Sequence, residues 1–235
     1  MRKEKLLKDH YIKIIYSDDD WALLKEKRER AIYLLNLFAK EGIDPFIFGS
    51  IARGDVHKDS DIDLLIPHLI PPYQIEFILH KNGFEKYFRE IIMATPNDSL
   101  KLYIYLSELE SITIPLSKID KRSGEFYDFG GKINLYQLQN NIRIPGINKK
   151  LVLIKPNQQG HEEYSIIGNE HLAARDTGVS IDTIIERKNV LIKREKKGRT
   201  GVFLKRSIEI DQSTEEVLKD LAIKKSIIRR KLYEI

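Results

Sequence analysis

The sequence predicts an α+β protein, with an N-terminal mixed sheet flanked by helices and a smaller winged-helix-like C-terminal domain. Three observations lead to this reading. Apolar residues recur at helical spacing between Asp18 and Lys40. Short runs rich in β-branched and aromatic residues follow as far as Phe129. Beyond Pro145-Gly146 the helical period returns, together with the densest basic cluster of the chain. Residues 1–145 and 146–235 are accordingly the two expected domains.

In the first helix Trp21, Leu23, Leu24, Ala31, Leu34, Leu35 and Phe38 recur at helical spacing with Lys and Glu between them, and Asp18, Asp19 and Asp20 sit where a helix N-terminus favours negative charge. Gly42 ends it and Asp44-Pro45 turns the chain into the short strand PFIF. A polar, glycine-bearing stretch then leads into the strand DIDLLIP. Pro71-Pro72 opens a helix running from Tyr73 to about Lys81, closed by Asn82-Gly83. EIIMAT, LKLYIYL, SITIPL and EFYDF read as antiparallel strands, and Gly130-Gly131 as a bend beside Phe126 and Tyr127, two rings suited to aromatic packing or to stacking a base.

In the second half NKKLVLIKP reads as a strand or linker, and a helical pair spans about 169–193. KREKKGRTGVFLKRSIEI reads as a hairpin turning at Gly198 to Gly201. A last helix opens at Ser213, with Glu216 three residues on to complete a capping box.

Composition narrows the function classes. Hydrophobic content of 42% and charged content of 32% suit a soluble globular chain. No apolar run approaches the ~20 residues that span a bilayer, so no membrane partner is expected. MRKEKLLKDH carries no apolar stretch behind its charges, so no signal peptide is read. With no cysteine, disulfides and thiolate metal sites are excluded, and a cytoplasmic location is expected. A net charge of +5 leaves room for an anionic partner.

The chemistry concentrates in FGSIARGDVHKDSDIDLLI, residues 48–66. Side chains alternate along a strand, so Asp61 and Asp63 point one way while Ile62 and Leu64 point into the core. Two same-face carboxylates roughly 6–7 Å apart repel each other unless a cation lies between them. All-oxygen ligation suits Mg²⁺ or Mn²⁺, with substrate phosphates completing the shell. Gly49 lets a phosphate approach the backbone, and the Ser50 hydroxyl and nearby amides can bond its oxygens.

Gly49, Ser50, Arg53, Gly54, Ser60, Asp61 and Asp63, with strands on both sides, resemble the DNA polymerase β-type nucleotidyltransferase superfamily, in particular its minimal branch. The resemblance implies that Asp61 and Asp63 bind two divalent metals and that Gly49 and Ser50 hold the phosphates of an NTP, with Arg53 and Ser60 in the binding turn. It implies transfer of a nucleoside monophosphate to a hydroxyl or phosphate, with loss of pyrophosphate. It also implies a third carboxylate on a neighbouring strand. Glu108, Glu110, Glu125 and Asp128 are the candidates, with Glu108 the first choice.

Downstream, Ala174-x3-Gly178-Val179-Ser180-x3-Ile184 resembles a helix-turn-helix core, and the basic hairpin after it is placed as a wing. Lys193, Arg194, Lys196, Lys197 and Arg199 are its candidate nucleic-acid contacts. The expected function is thus metal-dependent nucleotidyl transfer to nucleic acid or protein. The rival is a DNA-binding regulator that keeps the fold without the chemistry, and a small-molecule acceptor is a third reading.

Overall fold

A computed structural model of the chain describes residues 10–198 and 201–233. In order, the elements are β1 (Tyr11–Ile15), α1 (Asp18–Ala39), β2 (Phe46–Phe48), α2 (Ser50–Arg53), β3 (Ile62–Leu65), α3 (Pro72–Lys81), β4 (Phe88–Met93), β5 (Lys101–Tyr105) and β6 (Glu110–Pro115). There follow α4 (Lys121–Gly130), β7 (Lys132–Asn134), α5 (Leu135–Gln139), β8 (Gly146–Ile147), β9 (Val152–Asn157), β10 (Gly160–Ser165), α6 (Glu170–Thr177) and α7 (Ile181–Lys197). The chain ends in β11 (Leu204–Ile208), α8 (Thr214–Lys224) and α9 (Ser226–Tyr233). The α+β class holds. Among the described residues no helix is long and apolar enough to cross a membrane.

The chain forms two compact units that interleave along the sequence. The first comprises Met1–Ile32, Ile47–Ile62 and Gly124–Thr200; the second comprises Tyr33–Phe46, Asp63–Ser123 and Gly201–Ile235. Residue 145 lies inside the first unit rather than at a boundary.

In the first unit β1, β10, β9 and β8 make an antiparallel sheet, with Tyr11 opposite Tyr164 and Glu163 opposite Ile154. Its core joins Leu151 and Leu153 to Ala173 of α6, Ile184 of α7 and Phe129 of α4. The α6–α7 turn forms as its residues dictate. Gly178 takes the left-handed conformation at φ 72°, and the Ser180 side chain accepts from the Thr183 amide.

In the second unit the strand order β11-β4-β5-β6 is antiparallel throughout, with β3 beside β6. Ile91, Leu102, Ile104, Ile112 and Ile114 are fully buried on one face, while Glu90, Tyr103, Tyr105 and Ser111 alternate onto the other. Arg89, only 6% exposed, shares the apolar face. It meets both oxygens of Glu76 on α3 at 3.0 Å and donates to the carbonyls of Glu209 and Gln212 at 2.9 and 2.8 Å. One guanidinium therefore ties the C-terminal segment to β4 and α3. Where a fork-shaped donor meets a carboxylate and two carbonyls, geometry as well as charge is satisfied.

Two sequence expectations are corrected. EFYDF is not a strand: it lies within α4, because Asp120 Oδ1 accepts from the Ser123 amide at 2.6 Å and caps a helix whose Tyr127 and Phe129 are buried. The expected 193–206 hairpin, and with it the wing, does not form among the described residues. Lys193 to Lys197 continue α7, whose C-terminus favours basic side chains, while Leu204 and Ile208 are buried as β11 pairs with β4. Arg199 lies outside the described residues.

Replacing Arg89 with Ala leaves Glu76 without its ion-pair partner and takes from two carbonyls the guanidinium that meets them. The expected loss is about 3–5 kcal/mol, as for a broken buried ion pair. Urea denaturation measures it, and a loss below ~1 kcal/mol, the range of an exposed pair, contradicts the tie.

Candidate active site

The turn after β2 is built by conformation and by backbone contact. Gly49 adopts φ 87°, ψ −146°, a region essentially closed to side chains. A Cβ there would meet nothing within 4 Å, so the demand is conformational and not steric. The Gly49 amide donates to the Gly131 carbonyl at 2.9 Å, and Ser50 opens α2 directly after it.

Arg53 supports this turn from behind. Its Nε and Nη2 donate to the two carboxylate oxygens of Asp55 at 2.9 and 3.0 Å, and Nη1 donates to the Gly130 carbonyl at 2.6 Å. Its side chain is 7% exposed. The guanidinium is thus occupied by structure. Ser60 is also structural: its Oγ accepts from the His57 amide and its amide donates to the His57 carbonyl, closing the loop before β3.

Arg28 and Tyr16 gave no sequence signal, yet both meet the short helix that carries the turn. Arg28 donates to the carbonyls of Ile51, Ala52 and Ile142, filling the acceptors at the end of α2. Burial, reinforced by Arg143, pulls its pKa down to about 10. Tyr16 donates its hydroxyl proton to the Gly54 carbonyl at 2.8 Å, and its oxygen lies 2.7 Å from His161 Nδ1. Burial, then the charge of Asp55, pushes the phenol up to about 12 and keeps that donor in place. Beyond it Glu163 joins His161 Nε2 at 3.2 Å and His10 Nε2 at 2.5 Å. A polar chain thus runs from the sheet of the first unit to the C-cap of α2.

The carboxylates lie at the entry to β3. Asp61 is exposed just ahead of the strand, and Asp63 is half-buried between the buried Ile62 and Leu64. Asp63 Oδ1 accepts from Ser111 Oγ on the neighbouring strand β6 at 2.6 Å. Burial, then Tyr105 and Asp63, push Tyr103 up to about 12, so the phenols on this face stay protonated at neutral pH.

The candidates for a third acid are scattered. Glu108 is exposed in the turn after β5, and Glu110 begins β6. Glu125 accepts from Ser180 Oγ and Thr183 Oγ1 at 2.5 Å and so braces the start of α7, while Asp128 pairs with Lys132 at 2.9 Å. Among the described residues no three His, Cys, Asp or Glu side chains are grouped to hold a metal ion. Gly49, Ser50 and Arg53 come together in the first unit, and Asp63 and Ser111 in the second. Lys193, Arg194, Lys196 and Lys197 are exposed on the last turns of α7.

Residues 33–120 match the family model described as a nucleotidyltransferase domain, and that segment is nucleotidyltransferase-like. The match includes the glycine–serine turn, both aspartates and Ser111 and ends before α4. No curated protein and no solved structure matches the chain.

The Glu163 chain predicts a pH dependence. Hydrogen bonds from His161, and then His10, hold Glu163 down to about 2 against the opposing effect of burial. A depressed carboxyl stabilises the fold above its unfolded value near 4.5, and that contribution is lost as pH falls towards about 2. The stability difference between the wild type and Glu163→Gln should be largest above pH ~4.5 and shrink on acidification. Urea titrations across this range measure it, and a constant difference contradicts the assignment.

Proposed function

We propose that this chain is a metal-dependent nucleotidyltransferase, moving a nucleoside monophosphate from an NTP to an oxygen acceptor with release of pyrophosphate. The observation that carries the reading is the nucleotidyltransferase-domain match over residues 33–120, with Gly49-Ser50 and Asp61-x-Asp63 inside it. In this reading the turn receives phosphate oxygens on its amides and on the Ser50 hydroxyl. Arg53 acts from behind, by holding that backbone still. A preformed backbone site needs no rearrangement when charge arrives, which is where most of its value lies.

Asp61 and Asp63 would hold Mg²⁺ or Mn²⁺. The donor set fits such an ion where phosphate oxygens complete the shell, since it offers two hard carboxylates two residues apart, one of them exposed. When bound, the ion supplies Lewis-acid polarisation of the phosphoryl group. The chain's own residues do the positioning: Ser111 orients the Asp63 carboxylate and β3 fixes its height in the sheet. The absence of cysteine supports a reducing compartment such as the cytoplasm.

A second reading, a nucleotidyltransferase-fold regulator that binds nucleic acid without chemistry, draws on the exposed basic end of α7. Salt-sensitive nucleic-acid binding without pyrophosphate release would select it.

Calorimetry tests the leading reading. NTP should bind with Mg²⁺ or Mn²⁺ present and weaken by about tenfold or more in Asp61→Asn and in Asp63→Asn. Affinity that ignores metal, or that is unchanged in both variants, removes the site.

A further inference from the structure

On the basis of that nucleotidyl-transfer reading, we infer that the acceptor is the end of a single-stranded nucleic acid, whose bases stack on an aromatic row formed by Tyr105 and Phe88. The row lies on the sheet face that carries Asp63. Ser111 on β6 donates to Asp63 Oδ1 at 2.6 Å, Tyr105 on β5 stands opposite Ser111 in the register, and Phe88 on β4 stands opposite Tyr105. Directly opposed residues share a face. Neighbouring strands lie ~4.8 Å apart, so the Tyr105 backbone is two spacings, ~10 Å, from that of Asp63.

The rings are ordered and within reach of solvent. Phe88 and Tyr105 have centroids 5.9 Å apart with planes inclined by 28°, and Tyr103 continues the row from Tyr105 at 6.3 Å and 16°. Phe88 is 48% exposed and Tyr105 is half-buried, whereas the core of this sheet lies on the opposite face, at Ile91, Leu102 and Ile104. As cross-strand pairs such rings steady a sheet by only about 0.2–1 kcal/mol each. Burial, then the charge of Glu90 and its hydrogen bond, and lastly Asp63 raise the Tyr105 phenol above its ordinary range, so the row is uncharged at neutral pH. Glu90 itself is buried and meets Lys205 Nζ at 3.0 Å, which removes it as an obstacle to a phosphate backbone.

The row belongs to the attacking reactant. In the transfer reading the triphosphate goes to the turn at Gly49 and Ser50, and in-line displacement brings the attacking oxygen in opposite the leaving pyrophosphate. The row extends from Asp63 through the second unit and shares no residue with that turn. More than one ring in succession suits consecutive bases. Bases of a duplex are already stacked on one another, whereas those of a single strand can stack on protein rings, each gaining about 1–3 kcal/mol. A terminal hydroxyl oxygen of the strand then bonds to the α-phosphorus of the NTP while the bond from that phosphorus to the bridging oxygen breaks. Pyrophosphate leaves with the electron pair and the hydroxyl proton passes to solvent water. The product is the strand extended by one nucleotide through a phosphodiester.

The test uses the full chain with Mg²⁺ or Mn²⁺, each α-labelled NTP, and short RNA and DNA oligonucleotides. Single strands should be labelled in preference to blunt duplexes, and label on RNA, on DNA or on both supports the inference and identifies the sugar accepted. Abasic sites at the two terminal positions should lower kcat/KM by about 5- to 150-fold, the equivalent of one stacked base. Tyr105→Leu should bring the intact strand down to the abasic level while leaving the abasic strand and metal-dependent NTP affinity unchanged, a pattern that loss of folding does not give. Tyr105→Phe keeps the ring and should keep the preference. If the Leu variant does not fold, intact and abasic strands compared on the wild type decide the matter. Equal labelling of intact and abasic strands, or of duplex and single-stranded ends, overturns the inference. So does metal-dependent NTP binding with no labelled oligonucleotide. A protein that binds no NTP with metal instead overturns the transfer reading on which the inference rests.

Discussion

Arg53 is the contact on which the turn at Gly49 and Ser50 depends. It is a buried cation engaged by Asp55 and the Gly130 carbonyl, so removing Asp55 leaves a charge without compensation in a poorly solvated place. Around it the backbone is packed too closely for side chains. A Cβ on Gly146 would come within 2.7 Å of the Gly130 carbonyl, and one on Gly131, at φ 84°, within 3.0 Å of Arg53 Cγ. With the Gly49 amide bonded to the Gly131 carbonyl, the strained glycine at the head of α2 is fixed by the end of α4. Rigidity there is the physical requirement of a site that works by alignment.

The sheet of the second unit meets a different demand. One face is aliphatic and buried, and the other carries Asp63, Ser111, Tyr103, Tyr105 and Glu90, each hydroxyl or carboxylate placed by the two-residue alternation of its strand. A carboxylate can sit on a strand bordered by Ile62 and Leu64 because the pleat separates it from them. Arg89 resolves the same conflict on the apolar face by satisfying its charge within the fold.

The sequence made the nucleotidyltransferase-like motif easier to read than the topology. Gly49-Ser50 and Asp61-x-Asp63 are legible because few structures need those residue types in that order, and α1, α3 and the capping box at Ser213 follow from spacing and caps. EFYDF misled because aromatic residues satisfy strand and helix patterns alike, and the deciding group, the cap at Asp120, lies five residues upstream of Glu125. β10 was hidden by its polar Glu162 and Glu163, one of which serves the His10–His161 chain. Arg28, Arg89 and Ser111 are ordinary surface residue types in a one-dimensional reading. Their roles arise from partners 23, 123 and 48 residues away, and no local pattern encodes such distances.

The proposed site receives nucleotide phosphates at the turn of Gly49 and Ser50 and holds the attendant cation at the head of β3. Amide hydrogen exchange with and without NTP and Mg²⁺ reads this directly. Exchange should slow in segments 48–54 and 60–66 when both are added, and not when either is absent. NTP-dependent protection confined to other segments, such as 181–198, with 48–54 and 60–66 unchanged, would contradict it.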